Sequence, residues 1–126
     1  MTEPAAISEA EWRVMEVIWD KKSALAAEVI DALAESQWNH RTIRTLLSRL
    51  VDKGILSAEP IGNRYRYSPS VSRTKCVKEA GQGFLKRIFG GDSEALLLHF
   101  AQNSKMDADQ IERLRDVLTK RKVKDR

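Results

Sequence analysis

Between Arg41 and Arg49 the chain sets three guanidiniums, Arg41, Arg44 and Arg49, among three short hydroxyls, Thr42, Thr45 and Ser48, with no acid in the interval. A guanidinium can grip a guanine edge or a phosphate through two parallel hydrogen bonds, and a threonine or serine hydroxyl can reach a base or a phosphate oxygen. The chemistry on offer is recognition of a polyanion rather than bond-making. A merely solvated helix face would carry more Glu, and here the first acid downstream is Asp52. A second basic cluster follows at Arg64 and Arg66, on either side of Tyr65, where arginines suit phosphate or the minor groove.

Catalytic constellations do not compete. His40 and His99 fall in different predicted domains, Cys76 has no histidine near it in the sequence, and there is no HExxH, phosphate-cradling glycine loop or paired-cysteine motif. His40 reads as a phosphate contact or a solvated neighbour of a helix cap, and Cys76 as a small packing residue. A stripe of Phe84, Ile88 and Leu98 reads as core or interface before it reads as a cofactor pocket. The expectation is a protein that is not an enzyme and takes no metal or cofactor.

The basic residues need a rigid element to present them. Ile43, Leu46, Leu47, Leu50 and Val51 recur at i, i+3, i+4, i+7 and i+8, one buried stripe at the helical period, which turns the arginines and hydroxyls outward. Asn39 suits the N-cap, so that the first turn points backbone N–H groups and a partial positive charge at phosphate. Gly54 suits the left-handed position that ends the helix. Ile55 to Glu59 and Arg64 to Ser68 then read as two short strands around Gly62-Asn63. Period-two alternation predicts Tyr65 and Tyr67 seated on the helices, with Arg64 and Arg66 left free.

Upstream, Ser8 and Glu11 have capping-box spacing, with Ile7 and Trp12 placed as a hydrophobic staple. Trp12, Met15, Ile18 and Trp19 predict the buried stripe of a first helix ending near Asp20. A second helix, starting at about Ser23 to Ala26, should turn Ala26, Val29, Ile30 and Leu33 inward, and Glu35 to Trp38 then turns the chain into the basic helix. Helix, helix, turn, helix and hairpin make a winged helix-turn-helix over residues 1–70.

From residue 71 to 126 the pattern is helical. Val77, Ala80, Gly81, Phe84, Leu85 and Ile88 share one side of a segment that stops at Gly90-Gly91. A helix follows from Asp92 through Leu96, Leu97, Leu98, Phe100 and Ala101, and Asp107 with Gln110 should cap a last helix carrying Ile111, Leu114, Val117 and Leu118. Three short helices with few large apolar groups would be marginal alone, and the apolar side chains suit packing against a second copy. Phe84, Leu85, Ile88, Leu96, Leu97, Phe100, Leu114 and Leu118 are the expected homodimer contacts. The tail RKVKDR carries no apolar stripe and is expected to fray.

Composition agrees. The chain has 126 residues and 42% hydrophobic content, enough for one modest core or two small ones, and no apolar run approaches the ~20 residues that span a bilayer. No membrane insertion is expected. The absence of a secretory pattern and the single cysteine, which rules out an internal disulfide, point to a cytoplasmic setting. Net charge is +4, but residues 1–35 carry three Lys/Arg against eight Asp/Glu while residues 36–66 carry six against two. The positive charge sits with the reading face.

Taken together, EAEWRVMEVIWDKKS, TIRTLLSRLVDKG, FLKRIFGGD and ALLLHFAQN resemble, in order and spacing, the penicillinase and methicillin-resistance repressors, the BlaI/MecI family. The resemblance covers nearly the whole chain. It implies a mainly α protein, a winged helix-turn-helix with a β-hairpin wing followed by a three-helix dimerisation domain, that binds a dyad operator in double-stranded DNA as a homodimer. Matched residue by residue, Arg41, Thr42, Thr45 and Arg49 on the helix and Arg64, Tyr65 and Arg66 on the wing fall where such repressors contact DNA. It also implies control of antibiotic-response genes and release by a sensor-linked protease that cuts between an Asn and the Phe corresponding to Phe100. Here His99 stands in place of that Asn. The plain alternative is that Phe100 fills the dimer core. Copper-responsive relatives bear paired cysteines near the C-terminus, and those are missing here. A reading from a different class, a winged-helix protein-interaction adaptor without sequence-specific DNA binding, is separated by salt: phosphate contacts weaken steeply with salt, and an apolar interface does not.

Overall fold

A computed structural model describes residues 6–121, so the expectations for residues 122–126 of the tail fall outside the described residues. Helix α1, Glu9–Lys21, starts as its cap predicts: Ser8 Oγ accepts from Glu11 N at 3.1 Å and Glu11 Oε1 accepts from Ser8 N at 2.8 Å. Its inward stripe is Val14, Met15 and Ile18, together with Glu11, while Trp12 and Trp19 are only half-buried and meet edge to face at 5.5 Å. The expected stripe is therefore rotated, because the indoles cover the core's margin and the carboxylate takes the interior. Glu11 tolerates burial because Lys53 Nζ lies 2.7 Å from its Oε1.

Strand β1, Ala24–Leu25, was not expected; the second helix, α2, begins only after it, at Ala26–Ala32. Val29 and Leu33 are buried and Ala26 and Ile30 pack beside them. A 3-10 turn, Ala34–Ser36, and left-handed Gln37 (φ 67°) bring the chain to Asn39. Trp38 packs on the core with the Arg13 guanidinium 4.8 Å from its ring centroid. Helix α3, His40–Asp52, buries Ile43, Leu46, Leu47 and Leu50 and half-buries Val51, as the period requires.

Lys53-Gly54, with Gly54 at φ +80°, ends α3 and delivers the chain to β2, Leu56–Ile61, and β3, Arg64–Pro69. The sheet has the order β1-β3-β2, all antiparallel, with Ala24 opposite Tyr67 and Ala58 opposite Tyr67 on the other side. The hairpin is thus the outer part of a three-stranded sheet whose third strand comes from between the first two helices. This matters to the wing: a hairpin alone is marginal in water, and a third strand anchors it.

Helix α4, Arg73–Phe89, leaves from the same body: Trp19 Nε1 donates to Val71 O at 3.0 Å, Arg73 pairs with Glu16 at 2.8 Å, and Cys76 is buried. The hydrogen bond from Arg73 holds the Glu16 carboxyl below its ordinary pKa. Chain contacts divide the protein into two compact units, Met1–Gly81 and Gln82–Arg126. In the second, α5 (Ser93–Asn103) is capped by Asp92, and α6 (Ala108–Lys120) by the Asp107/Gln110 capping box. Phe89 meets Phe84 at 6.0 Å and His99 at 5.9 Å. No described residue of this unit is buried. Phe84, Leu85, Leu96 and Leu114 are half-buried, whereas Ile88, Leu97, Leu98, Phe100, Ile111, Val117 and Leu118 are exposed.

Candidate nucleic-acid interface

The face of α3 opposite its buried stripe carries every residue that the sequence nominated there. Asn39 Oδ1 accepts from Thr42 N at 2.8 Å, so the helix begins with its cap satisfied and its remaining first-turn N–H groups directed outward. Arg41, Thr42, Arg44, Thr45, Ser48 and Arg49 are all exposed. Arg41, Arg44, Thr45 and Ser48 line one open surface. Helices α1, α5 and α6 each carry an acid in the first turn, and α3 carries none. A first-turn acid normally complements the helix dipole, so its omission leaves the partial positive charge for an external anion. His40 opens the helix and is exposed.

Arg44 also borders a cleft of about 400 Å³ beside the wing, lined by Leu25 of β1, Ala26 and Ala27 of α2, and Asn63, Arg64, Tyr65 and Tyr67 of the hairpin. The cleft brings Arg64 and Tyr65 to the recognition face. The sequence reading placed Ala26 only as a core residue of the second helix and did not include Leu25 or Ala27, since only the pairing of β1 with β3 carries this segment there. Asn63 was legible only as a turn residue.

Two placements differ from the alternation argument. Tyr67 packs on the core as expected, but Tyr65 is 53% exposed and lines the cleft instead of packing on the core. Arg66 is half-buried rather than free: its Nη1 donates to Ser23 Oγ at 3.2 Å and ties the wing to the connection between α1 and α2. The physical reason is the third strand. Pairing of β1 with β3 sets Leu25 opposite Arg66 and brings Ser23, one residue before β1, within hydrogen-bond reach of its guanidinium.

Among the described residues no group of three or more His, Cys, Asp or Glu could hold a metal ion, and no helix is long and apolar enough to cross a membrane. The surface is an open, basic, hydroxyl-bearing ridge with a cleft beside it.

Known proteins share both the sequence and the architecture. A family model described as Penicillinase repressor matches residues 7–120. The chain is 38% identical over 113 residues to the penicillinase repressor of Staphylococcus aureus, covering 89% of this chain and 90% of that one. It is 33% identical over 116 residues to the methicillin resistance regulatory protein MecI of Staphylococcus aureus (strain N315), covering 91% and 94%. The solution structure of the Bacillus licheniformis BlaI monomer in complex with the blaP half-operator matches 59% of this chain and 92% of its own, with a TM-score of 0.51 and 37% identity. With the winged helix in place and the match running through the C-terminal helices, the chain belongs to the penicillinase repressor family.

Proposed function

We propose that this protein is a sequence-specific transcriptional repressor that binds a dyad DNA operator as a homodimer in the cytoplasm, with residues 1–70 reading DNA and residues 71–126 holding the dimer. The observation that carries the reading is the two-sided α3, its stripe buried and Arg41, Thr42, Arg44, Thr45, Ser48 and Arg49 all outward. In this reading α3 enters the major groove, Arg41, Arg44, Thr45 and Arg49 meet base edges or phosphates, and Thr42 and Ser48 serve phosphate oxygens near them. Arg64 and Tyr65 contact the backbone across the cleft. Arg66 works mainly by bracing the wing through Ser23, with its remaining N–H donors turned to phosphate.

The exposed Ile88, Leu97, Phe100 and Leu118, together with half-buried Phe84, Leu85, Leu96 and Leu114, support a dimer interface, since so much uncovered apolar surface is unusual for a monomer. Family membership supports control of antibiotic-response genes. A sensor-linked protease cutting His99-Phe100 within α5 would end repression by removing α6 and the last turn of α5, Phe100–Asn103, from the DNA-binding part. Mass spectrometry of cells challenged with a cell-wall-active antibiotic should show a fragment beginning at Phe100; derepression with the chain intact refutes that route.

The decisive experiment for DNA reading is selection of duplexes from a random pool, followed by mobility-shift titration of the enriched site. Arg49→Ala and Thr45→Ala should each cost ~1 to 3 kcal/mol on the selected site and differ between base-substituted variants, whereas Arg64→Ala should act evenly on all sequences. Affinity that is indifferent to salt, with no sequence enriched, would instead favour the protein-interaction adaptor.

A further inference from the structure

Glu11 is 1% exposed, the one charged residue buried among those described. Its partner, Lys53, stands 42 positions along the chain, immediately after the last residue of α3. The Lys53 ammonium reaches Glu11 Oε1 at 2.7 Å and the Ala6 carbonyl at 2.9 Å, and Glu11 Oε1 also accepts from Ser8 N at 2.8 Å. One cation therefore ties the end of α3 to the capping box and the chain entering α1. The same residue begins the exit towards the wing: Lys53 N donates to Arg49 O at 2.9 Å, Gly54 N to Val51 O at 3.0 Å and Ile55 N to Leu50 O at 2.9 Å, and β2 starts one residue later.

Packing of the buried stripe of α3 constrains its position along the axis less sharply than a directional contact between charges does. Apolar contact is non-directional, and Ile43, Leu46, Leu47 and Leu50 are of similar size. An ion pair with a buried carboxylate differs, because any slide that separates the charges leaves Glu11 in the interior without the half-buried Lys53 beside it. We propose that the Glu11–Lys53 pair is the pin that sets the axial register of α3, and through it the base discrimination of the exposed face from Arg41 to Arg49. Both are positioning residues. The inference rests on the DNA-reading function proposed above and adds to it a specificity determinant remote from the reading face. Glu11 is the sharper handle, since a buried side chain has no surface with which to touch DNA. Any effect it has on sequence preference must travel through the helix.

The test uses the full chain and two probes: the duplex most enriched by the unmodified protein from a random pool, and the same duplex with its enriched positions scrambled. Glu11→Gln retains the acceptor oxygen and the capping box, which accepts Gln as readily as Glu, while removing the charge. Lys53→Met keeps the stem, and the double variant leaves no unpaired ion, so it remains foldable if Lys53→Met alone is not. Below every variant's melting transition, Glu11→Gln, Lys53→Met and the double variant should each lower the selected-to-scrambled affinity ratio by about tenfold, without adding to one another. The slope of affinity against salt should stay unchanged, because no phosphate contact is lost. Lys53→Arg, which keeps the charge, should recover most of the ratio. A ratio within about twofold of the parent in Glu11→Gln and in the double variant, whatever the melting temperature, overturns the proposal by leaving the pair a purely stabilising role. A fall confined to Lys53→Met and accompanied by a shallower salt slope also overturns it, by making Lys53 a direct phosphate contact. Failure of the parent to enrich any duplex is a separate result that removes DNA reading itself, and this inference with it.

Discussion

Asn39→Asp should make this protein more stable and a poorer DNA binder at once. Asn39 caps α3 through a 2.8 Å bond from Thr42 N, and the first turn of that helix carries no acid. Asp and Asn are equally good caps, so the hydrogen bond survives, and the added negative charge beside the positive helix end gains ~0.3 to 1 kcal/mol. Asn39 is exposed, which places the gain in the lower half of that range, a rise of ~2 to 4 °C for a domain of this size. The same charge faces phosphate in the complex. A unit charge ~7 Å from a phosphate in a high-dielectric setting costs ~0.6 kcal/mol, and more as water is excluded, so affinity should fall by about three- to tenfold. Asn39→Ala is the control, because it loses the cap, costs ~1 kcal/mol of stability and adds no charge. The assay pairs thermal melting by circular dichroism with anisotropy titration on the selected duplex between ~50 and ~200 mM salt, where the binding penalty of Asn39→Asp should shrink as salt rises. Stability and binding that move together in the Asp variant, or binding unaffected at low salt, would refute the claim that the N-terminus of α3 faces DNA phosphate.

Three other outcomes follow from the same structure. Burial alone would raise the Glu11 pKa, but the hydrogen bonds from Lys53 and Ser8 and the Lys53 charge outweigh it and hold the carboxyl below its ordinary value. Its contribution to stability is therefore present above the unfolded pKa of ~4.3 and lost as pH falls through the lower folded value, so the melting temperature of Glu11→Gln should drop less than the parent's from pH ~5 to ~3; parallel curves would deny the pair a role. Leu47 has no exposed surface, and Leu47→Ala should cost ~2 to 5 kcal/mol in urea unfolding, with a loss under ~1 kcal/mol showing that the α3 stripe is not packed as described. Leu97→Glu and Leu118→Glu, both on exposed apolar positions of the second unit, should shift sedimentation from dimer to monomer at micromolar concentration while leaving the winged helix folded, and a monomeric parent chain would sink the dimer proposal.

Much of the site is local physics and can be read along the chain. The periodicity of Ile43, Leu46, Leu47 and Leu50 dictates which side of α3 is buried, and hence that the arginines and hydroxyls between them face outward. The caps at Ser8, Asn39, Asp92 and Asp107 are likewise short-range, each a side chain bonding an N–H a few residues on. The family motifs are ordered strings and are legible in the chain itself.

Tertiary structure decided what depends on residues far apart in sequence. Ala24 and Leu25 have no strand signature of their own, since two residues show no period; they become β1 only because Tyr67 and Arg66 lie opposite them. That pairing brings Leu25, Ala26 and Ala27 to the cleft and turns Arg66 onto Ser23, against the expectation drawn from the hairpin alone. Glu11 looked like the second half of a cap and no more. Its burial, and the hold it takes on the recognition helix, exist because folding brings Lys53 to it, and a charge can be taken out of water only where the chain supplies its counter-ion.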